Sequence, residues 1–161
     1  METGAILGAG RIRPLCGCYI IPDNTSKLLA AFPLLFRNLR DQSFECGDGW
    51  FNLVWQVSAE IEAVAKAEDT PITAEAWPKV GVLKQKFGTL RFQFNGNVSE
   101  AIEALSSKAY EQSMLICEQC GAPAELSKDR QHGDWVEALC GDCRKVAHPH
   151  PRINDETKLP A

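Results

Sequence analysis

Residues 117–143 read CEQCGAPAELSKDRQHGDWVEALCGDC. Cys117, Cys120, Cys140 and Cys143 stand in the pattern C-x2-C-x19-C-x2-C. Two such pairs at this separation are the spacing of a four-cysteine zinc site. Each C-x-x-C wraps a tight knuckle around one metal, and Gly121 follows the first pair where a positive φ is often needed. Between the knuckles, Ala124–Ser127 and Trp135–Leu139 read as short strands joined by the polar turn Lys128–Asp134. Knuckle, hairpin, knuckle is a zinc ribbon holding one structural Zn2+, with all four positions filled by thiolate and none open to water. A redox C-x-x-C is the rival reading, but that motif usually occurs once, opening a helix in a βαβ unit. His132 in the turn is an alternative ligand by residue type alone.

Charge bears on what such a ribbon could contact. The 117–143 stretch holds two basic residues, Lys128 and Arg130, against six acidic ones. Four thiolates on one Zn2+ add further negative charge, so the module would repel phosphate. It is expected to staple the C-terminal end of the domain, with an acidic protein-binding face as the alternative.

The chain as a whole is 161 residues with a formal charge of −4, 45% hydrophobic and 24% charged. One domain with an appendage fits that length. The net charge disfavours a protein that grips nucleic acid over its whole surface. No stretch approaches the ~18 apolar residues of a membrane span. Leu15-Cys16-Gly17-Cys18 faintly resembles a lipoprotein cleavage site, but Glu2, Arg11, Arg13 and Pro14 break the apolar stretch such a signal needs. A cytoplasmic protein is expected, in which seven cysteines imply metal or free thiols rather than disulfides.

Upstream of the ribbon the pattern is α+β: two main helices packed on a small antiparallel hairpin. The expected organisation is a loosely ordered arm over 1–26, a core over 27–116, the ribbon over 117–146 and a flexible tail over 147–161 that contains His148 and His150. The arm holds a strand candidate at Tyr19–Ile21. Cys16 and Cys18 are candidate ligands of a second metal site with Cys46, though that set has only three cysteines and C-x-C is a less usual zinc spacing. A short helix is expected near 26–31 and a turn near 33–39, with Arg37 and Arg40 as a basic spot. From Trp50, the apolar residues Leu53, Val54, Val57, Ile61, Val64 and Ala65 recur at helical spacing to about Glu68. Lys79–Lys86 and Phe87–Phe94 read as a hairpin turning near Gln85–Gly88. Leu90, Phe92 and Phe94 alternate there with Arg91 and Gln93. The last helix is expected over Ser99–Ile116, capped by Asn97 with Glu100.

Phe44-Glu-Cys-Gly-Asp-Gly-Trp50 precedes the long helix. Asp48 is placed to cap it and Gly47 and Gly49 to let the chain turn. Cys46 near a helix start could be a nucleophile, but no histidine lies near it in sequence to act as base. Glu45 and Asp48 would also raise its pKa. Packing is therefore the expected role of Cys46, and no catalytic residue is assigned. The hairpin carries Lys84, Lys86 and Arg91, the most basic part of the chain. With Asp48 and Trp50 these form the candidate partner-binding surface. Trp77 and Phe87 are available to stack on bases in a nucleic-acid or nucleotide binder.

ECGDGW, KFGTLRF, CEQC and CGDC in this order resemble a family of small uncharacterised proteins of tailed bacteriophages and prophages, over about Leu28 to Cys143. The hairpin stretch here is KQKFGTLRFQF, a mild departure. Arg40-Asp-Gln-Ser43 stands where the family commonly has further cysteines. The resemblance implies a phage accessory protein. Such proteins often bind and redirect a host bacterial protein, including components of antiviral defence, in the manner of an anti-CRISPR. It implies no reaction and no catalytic residue.

Overall fold

The computed structural model describes residues 22–39, 44–129 and 135–147. The expected strand at Tyr19–Ile21, along with Cys16, Cys18, Arg40 and all three histidines, lies outside these residues. Among them are helices α1 (Pro22–Ala31), α2 (Phe51–Ala67), α3 (Glu100–Ser113) and α4 (Gly141–Ala147). Strands β1 (Val80–Lys86) and β2 (Thr89–Phe94) form one antiparallel hairpin, and β3 (Glu125–Asp129) and β4 (Trp135–Leu139) form a second. The α+β architecture expected from the sequence is the one found.

Helix α2 follows its apolar stripe. Leu53, Val54, Val57, Ile61 and Ala65 are buried on one face, and burying each large side chain stabilises the fold by about 1.5–3 kcal/mol. Ser58 is buried among them and donates its hydroxyl to Val54 O at 2.7 Å, so its own polar atom is matched. Helix α3 packs on α2 and on β2, burying Ile102, Ala109 and Ser113. Two of its serines meet the outer side of β2: Ser113 Oγ accepts from Leu90 N (2.9 Å) and Ser106 Oγ donates to Phe92 O (2.5 Å). An edge strand is thereby satisfied by side chains rather than by a third strand. Phe36 knits α1's trailing turn to the sheet, packing on Phe32, Phe44 and Phe92 with ring centroids 5.2–6.3 Å apart.

Three element ends differ from the sequence reading, each for a local reason. Helix α1 begins at Pro22, inside the stretch assigned to a loose arm. Proline suits a first helical position and Asp23 complements the helix dipole there. Helix α3 is capped by Ser99, whose Oγ accepts from Ile102 N at 3.4 Å, rather than by Asn97. It ends at Ser113, because residues 114–116 tighten into i→i−3 hydrogen bonds on the way to the first knuckle.

The segment before ECGDGW runs beside β1. Glu45 N donates to Leu83 O (3.2 Å) and Gln85 N donates to Glu45 O (2.7 Å), a short parallel bridge. This register fixes where the loop emerges. On the far side, the Arg37 guanidinium donates to Leu34 O, Ala74 O, Trp77 O and Pro78 O, tying the irregular stretch 74–78 to the end of the α1 turn. Arg37→Met should lower unfolding free energy by about 2 kcal/mol, since hydrogen bonds to a charged donor are among the stronger ones. Urea denaturation followed by far-UV circular dichroism measures it.

Candidate metal centre

The first knuckle is built by backbone geometry. Gly121 has φ +77°, a conformation a residue with a Cβ rarely adopts. Its N–H donates to Cys117 O at 2.8 Å, and Cys117 N donates to Ala122 O at 2.7 Å. This curls Cys117 and Cys120 toward one point. The second knuckle opens helix α4, a feature the ribbon reading did not foresee. Cys143 N–H points at Cys140 Sγ (3.4 Å), and Arg144 N donates to Cys140 O (3.0 Å). The Arg144 side chain then donates to Leu139 O (3.0 Å) and Glu125 O (3.2 Å), locking β3, β4 and α4 together.

The result brings all four sequence-assigned sulfurs, of Cys117, Cys120, Cys140 and Cys143, within 4.8 Å of one another. Cys120 Sγ and Cys140 Sγ are 3.6 Å apart. A tetrahedral metal with metal–sulfur bonds of about 2.3 Å needs sulfur–sulfur edges of about 3.8 Å, whereas a disulfide needs about 2.05 Å. None of the four cysteines is in a disulfide, so the set fits one metal ion. The Cys143 N–H pulls Cys140 down to about 7, while burial pushes Cys120 and Cys143 up. One sulfur is thus close to the thiolate that a metal requires. Cys117 and Cys143 are buried and Cys120 is exposed, which places the centre at the surface end of the ribbon.

What holds the centre to the body is the ECGDGW loop. Asp48–Trp50 forms a 3₁₀ turn that runs directly into α2. Gly49 N donates to Glu118 O (2.8 Å), and Gly47 N donates to Glu118 Oε1 (3.2 Å). Trp50 Nε1 donates to Ile116 O (2.8 Å). Gly47 and Gly49 are glycines because the knuckle leaves no room. A Cβ on Gly49 would run into Cys117 O and lie 2.5 Å from Gly121 N, and one on Gly47 would run into Glu118 O. Cys46 is buried in the core cluster, as expected of a packing residue.

Several expectations for the loop are corrected here. Asp48 does not cap α2. Because the chain enters through a 3₁₀ turn, Asp48 lies inside that turn, and its Oδ1 accepts from Asn24 Nδ2 at 2.7 Å. Trp50, assigned to a partner-facing surface, is fully buried. Trp77, offered as a stacking residue, is buried too. Glu118, one of the six acidic residues in the ribbon's charge count, is buried against Gly47. Its position inside a C-x-x-C gives no sequence signal for that role.

The basic hairpin residues are brought together. Lys84 and Arg91 stand directly opposite in the β1–β2 register, so they share a face, and Lys86 is two residues along the same side. Arg91 stacks its guanidinium on Tyr110, 4.9 Å from the ring centroid. No protein-family model, curated protein or solved structure matches the chain.

Gly49→Ala should destabilise the protein by about 3 kcal/mol or more, because the added methyl meets backbone that cannot yield. Gly141→Ala, with open space around its Cβ position, should change stability by no more than about 0.5 kcal/mol. Thermal unfolding paired with metal content per chain distinguishes the two, and equal losses would mean that the loop–knuckle contact is not tight.

Proposed function

We propose that this chain is a non-enzymatic binding protein, stapled by one structural Zn2+, that binds and inhibits or redirects a host bacterial protein in the cytoplasm. A component of antiviral defence is the partner class that the phage-family resemblance suggests. The observation that supports this reading most is where the metal ligands sit. Four thiolates would fill a tetrahedral ion and leave no position for a substrate or water. The same knuckle is bonded through its backbone to the loop that starts α2. A metal so placed maintains shape rather than performing chemistry. Zinc is favoured over other soft-ligand metals by the paired C-x2-C spacing. Among the described residues no helix is long and apolar enough to cross a membrane.

The alternative is a nucleic-acid or nucleotide binder using Lys84, Lys86 and Arg91. The exposed ring of Phe87 next to Lys86 favours it, while the burial of Trp77 removes one of its two stacking residues.

Tagged protein isolated from bacterial cytoplasm is expected to carry one zinc per chain by elemental analysis and to elute with one host protein in equimolar amount. Elution with nucleic acid or nucleotide that salt releases would replace this reading with the alternative. An iron or metal-free folded protein would remove the structural zinc.

A further inference from the structure

The β1–β2 hairpin turns through Phe87 and Gly88 alone, between the paired residues Lys86 and Thr89. Both turn residues have positive φ, +54° at Phe87 and +71° at Gly88. A two-residue turn of this kind selects Asn-Gly, Asp-Gly or Gly-Gly, whose first residue tolerates the left-handed region. A phenylalanine there is strained, and its ring gains little burial in return, since the residue is 65% exposed. The turn is also held in place. Gln85 Nε2 donates to Val136 O at 3.4 Å, and a Cβ on Gly88 would lie 2.5 Å from Leu126 Cδ2 and 3.1 Å from the Glu137 backbone. The second hairpin therefore braces the first from behind and keeps its tip presented.

The charges beside the tip are arranged with a similar cost. Lys84 and Arg91 are like charges directly across the strands, a pairing that destabilises a hairpin. Neither has a carboxylate within ion-pair distance among the described residues. Glu45 is bridged to Lys84 through the backbone. Lys86 Nζ lies 5.5 Å from the Phe87 ring centroid. The tip is thus one exposed aromatic ring with Lys86 beside it, while Lys84 and Arg91 stand farther back on the strands, Arg91 stacked on Tyr110. The backbone at Phe87 and the like-charge pair are the features unfavourable to the isolated fold.

We propose that Phe87 is the anchor residue of the protein's contact surface, inserting into an apolar recess on a protein partner whose rim carries carboxylates for Lys84, Lys86 and Arg91. This deepens the host-protein reading above and rests on it. Aromatic rings seated in a desolvated pocket dominate many protein interfaces, and a ring already fixed in position loses little entropy on binding. A protein occupant fits better than nucleic acid. Strand-tracking sites use several aromatics along a basic groove. Here a single ring stands at the tip, and the acidic ribbon hairpin packs directly behind it.

Two measurements test this. The first needs no partner: Phe87→Asn should raise the melting temperature by a few degrees, because asparagine tolerates the left-handed backbone. A lowered melting temperature would make Phe87 a structural residue and overturn the proposal. The second places a photo-crosslinking phenylalanine analogue at position 87, or at the equally exposed Ile72, in cells. A discrete protein adduct from position 87 only is expected. That protein, once purified, should bind the wild type and bind the F87N variant at least tenfold more weakly. Adducts to nucleic acid, or a purified partner with unchanged affinity for F87N, would overturn the anchor. A partner captured from position 72 alone would overturn it while leaving the host-protein reading standing. An absence of any adduct at either site would count against both.

Discussion

The backbone contact between Gly49 and the first cysteine knuckle constrains everything around it. One hydrogen bond, from Gly49 N to Glu118 O at 2.8 Å, joins two segments about seventy residues apart in sequence. Its closeness excludes any side chain at Gly49. The indole of Trp50 completes the joint by donating to Ile116 O, at the exit from α3. Helix α2 therefore starts where the knuckle allows, and α3 ends where Trp50 receives it. The metal ligands begin at the very next residue, Cys117. A metal that shapes the knuckle consequently shapes the start of one main helix and the end of the other. Ala138 of β4 belongs to the same core cluster as α2 and α3, so the ribbon continues the body rather than hanging from it.

Much of this was legible in the sequence where a signal is local and periodic. The apolar stripe from Leu53 to Ala65 gave helix α2 nearly to its end, since a 3.6-residue period is readable without knowing what the stripe packs on. The alternation Leu90, Phe92, Phe94 marked β2 in the same way. The four ligands were readable because knuckle chemistry requires fixed short spacings. The losses came where meaning depends on a distant partner. Gly47 and Gly49 read as turn residues, yet their reason is a carbonyl near residue 118. Trp50 and Trp77 carry a polar handle and a large apolar body, so the sequence alone does not say which side faces water. Glu118 entered the sequence reading only as one charge in a sum, because its partner Gly47 lies far away in the chain. Phe87 fell within the turn read near Gln85–Gly88, but only its φ of +54° shows that the turn is strained there.

Electrostatics divide the surface into two unlike parts. The body's hairpin gathers Lys84, Lys86 and Arg91 on one face, while the ribbon behind it is acidic and becomes more so with four thiolates on a divalent ion. Attraction between the two would help seat one hairpin against the other at Gly88. For the proposed partner, the same contrast would favour a single orientation, because an acidic rim would be attracted to the hairpin face and repelled by the ribbon. The ribbon thus meets the body at two places, the first knuckle against Gly49 and the second hairpin against Gly88.

The central claim is that the metal centre and the α2–α3 body form one cooperative unit. Amide hydrogen exchange before and after chelation of the metal tests it most directly. The account predicts that Gly49 and the core amides of α2, such as Val54 and Ile61, lose protection together with Cys117 and Gly121. If chelation exposed only the ribbon amides while Gly49 and α2 kept their protection, the ribbon would be an independent appendage and the account would be contradicted.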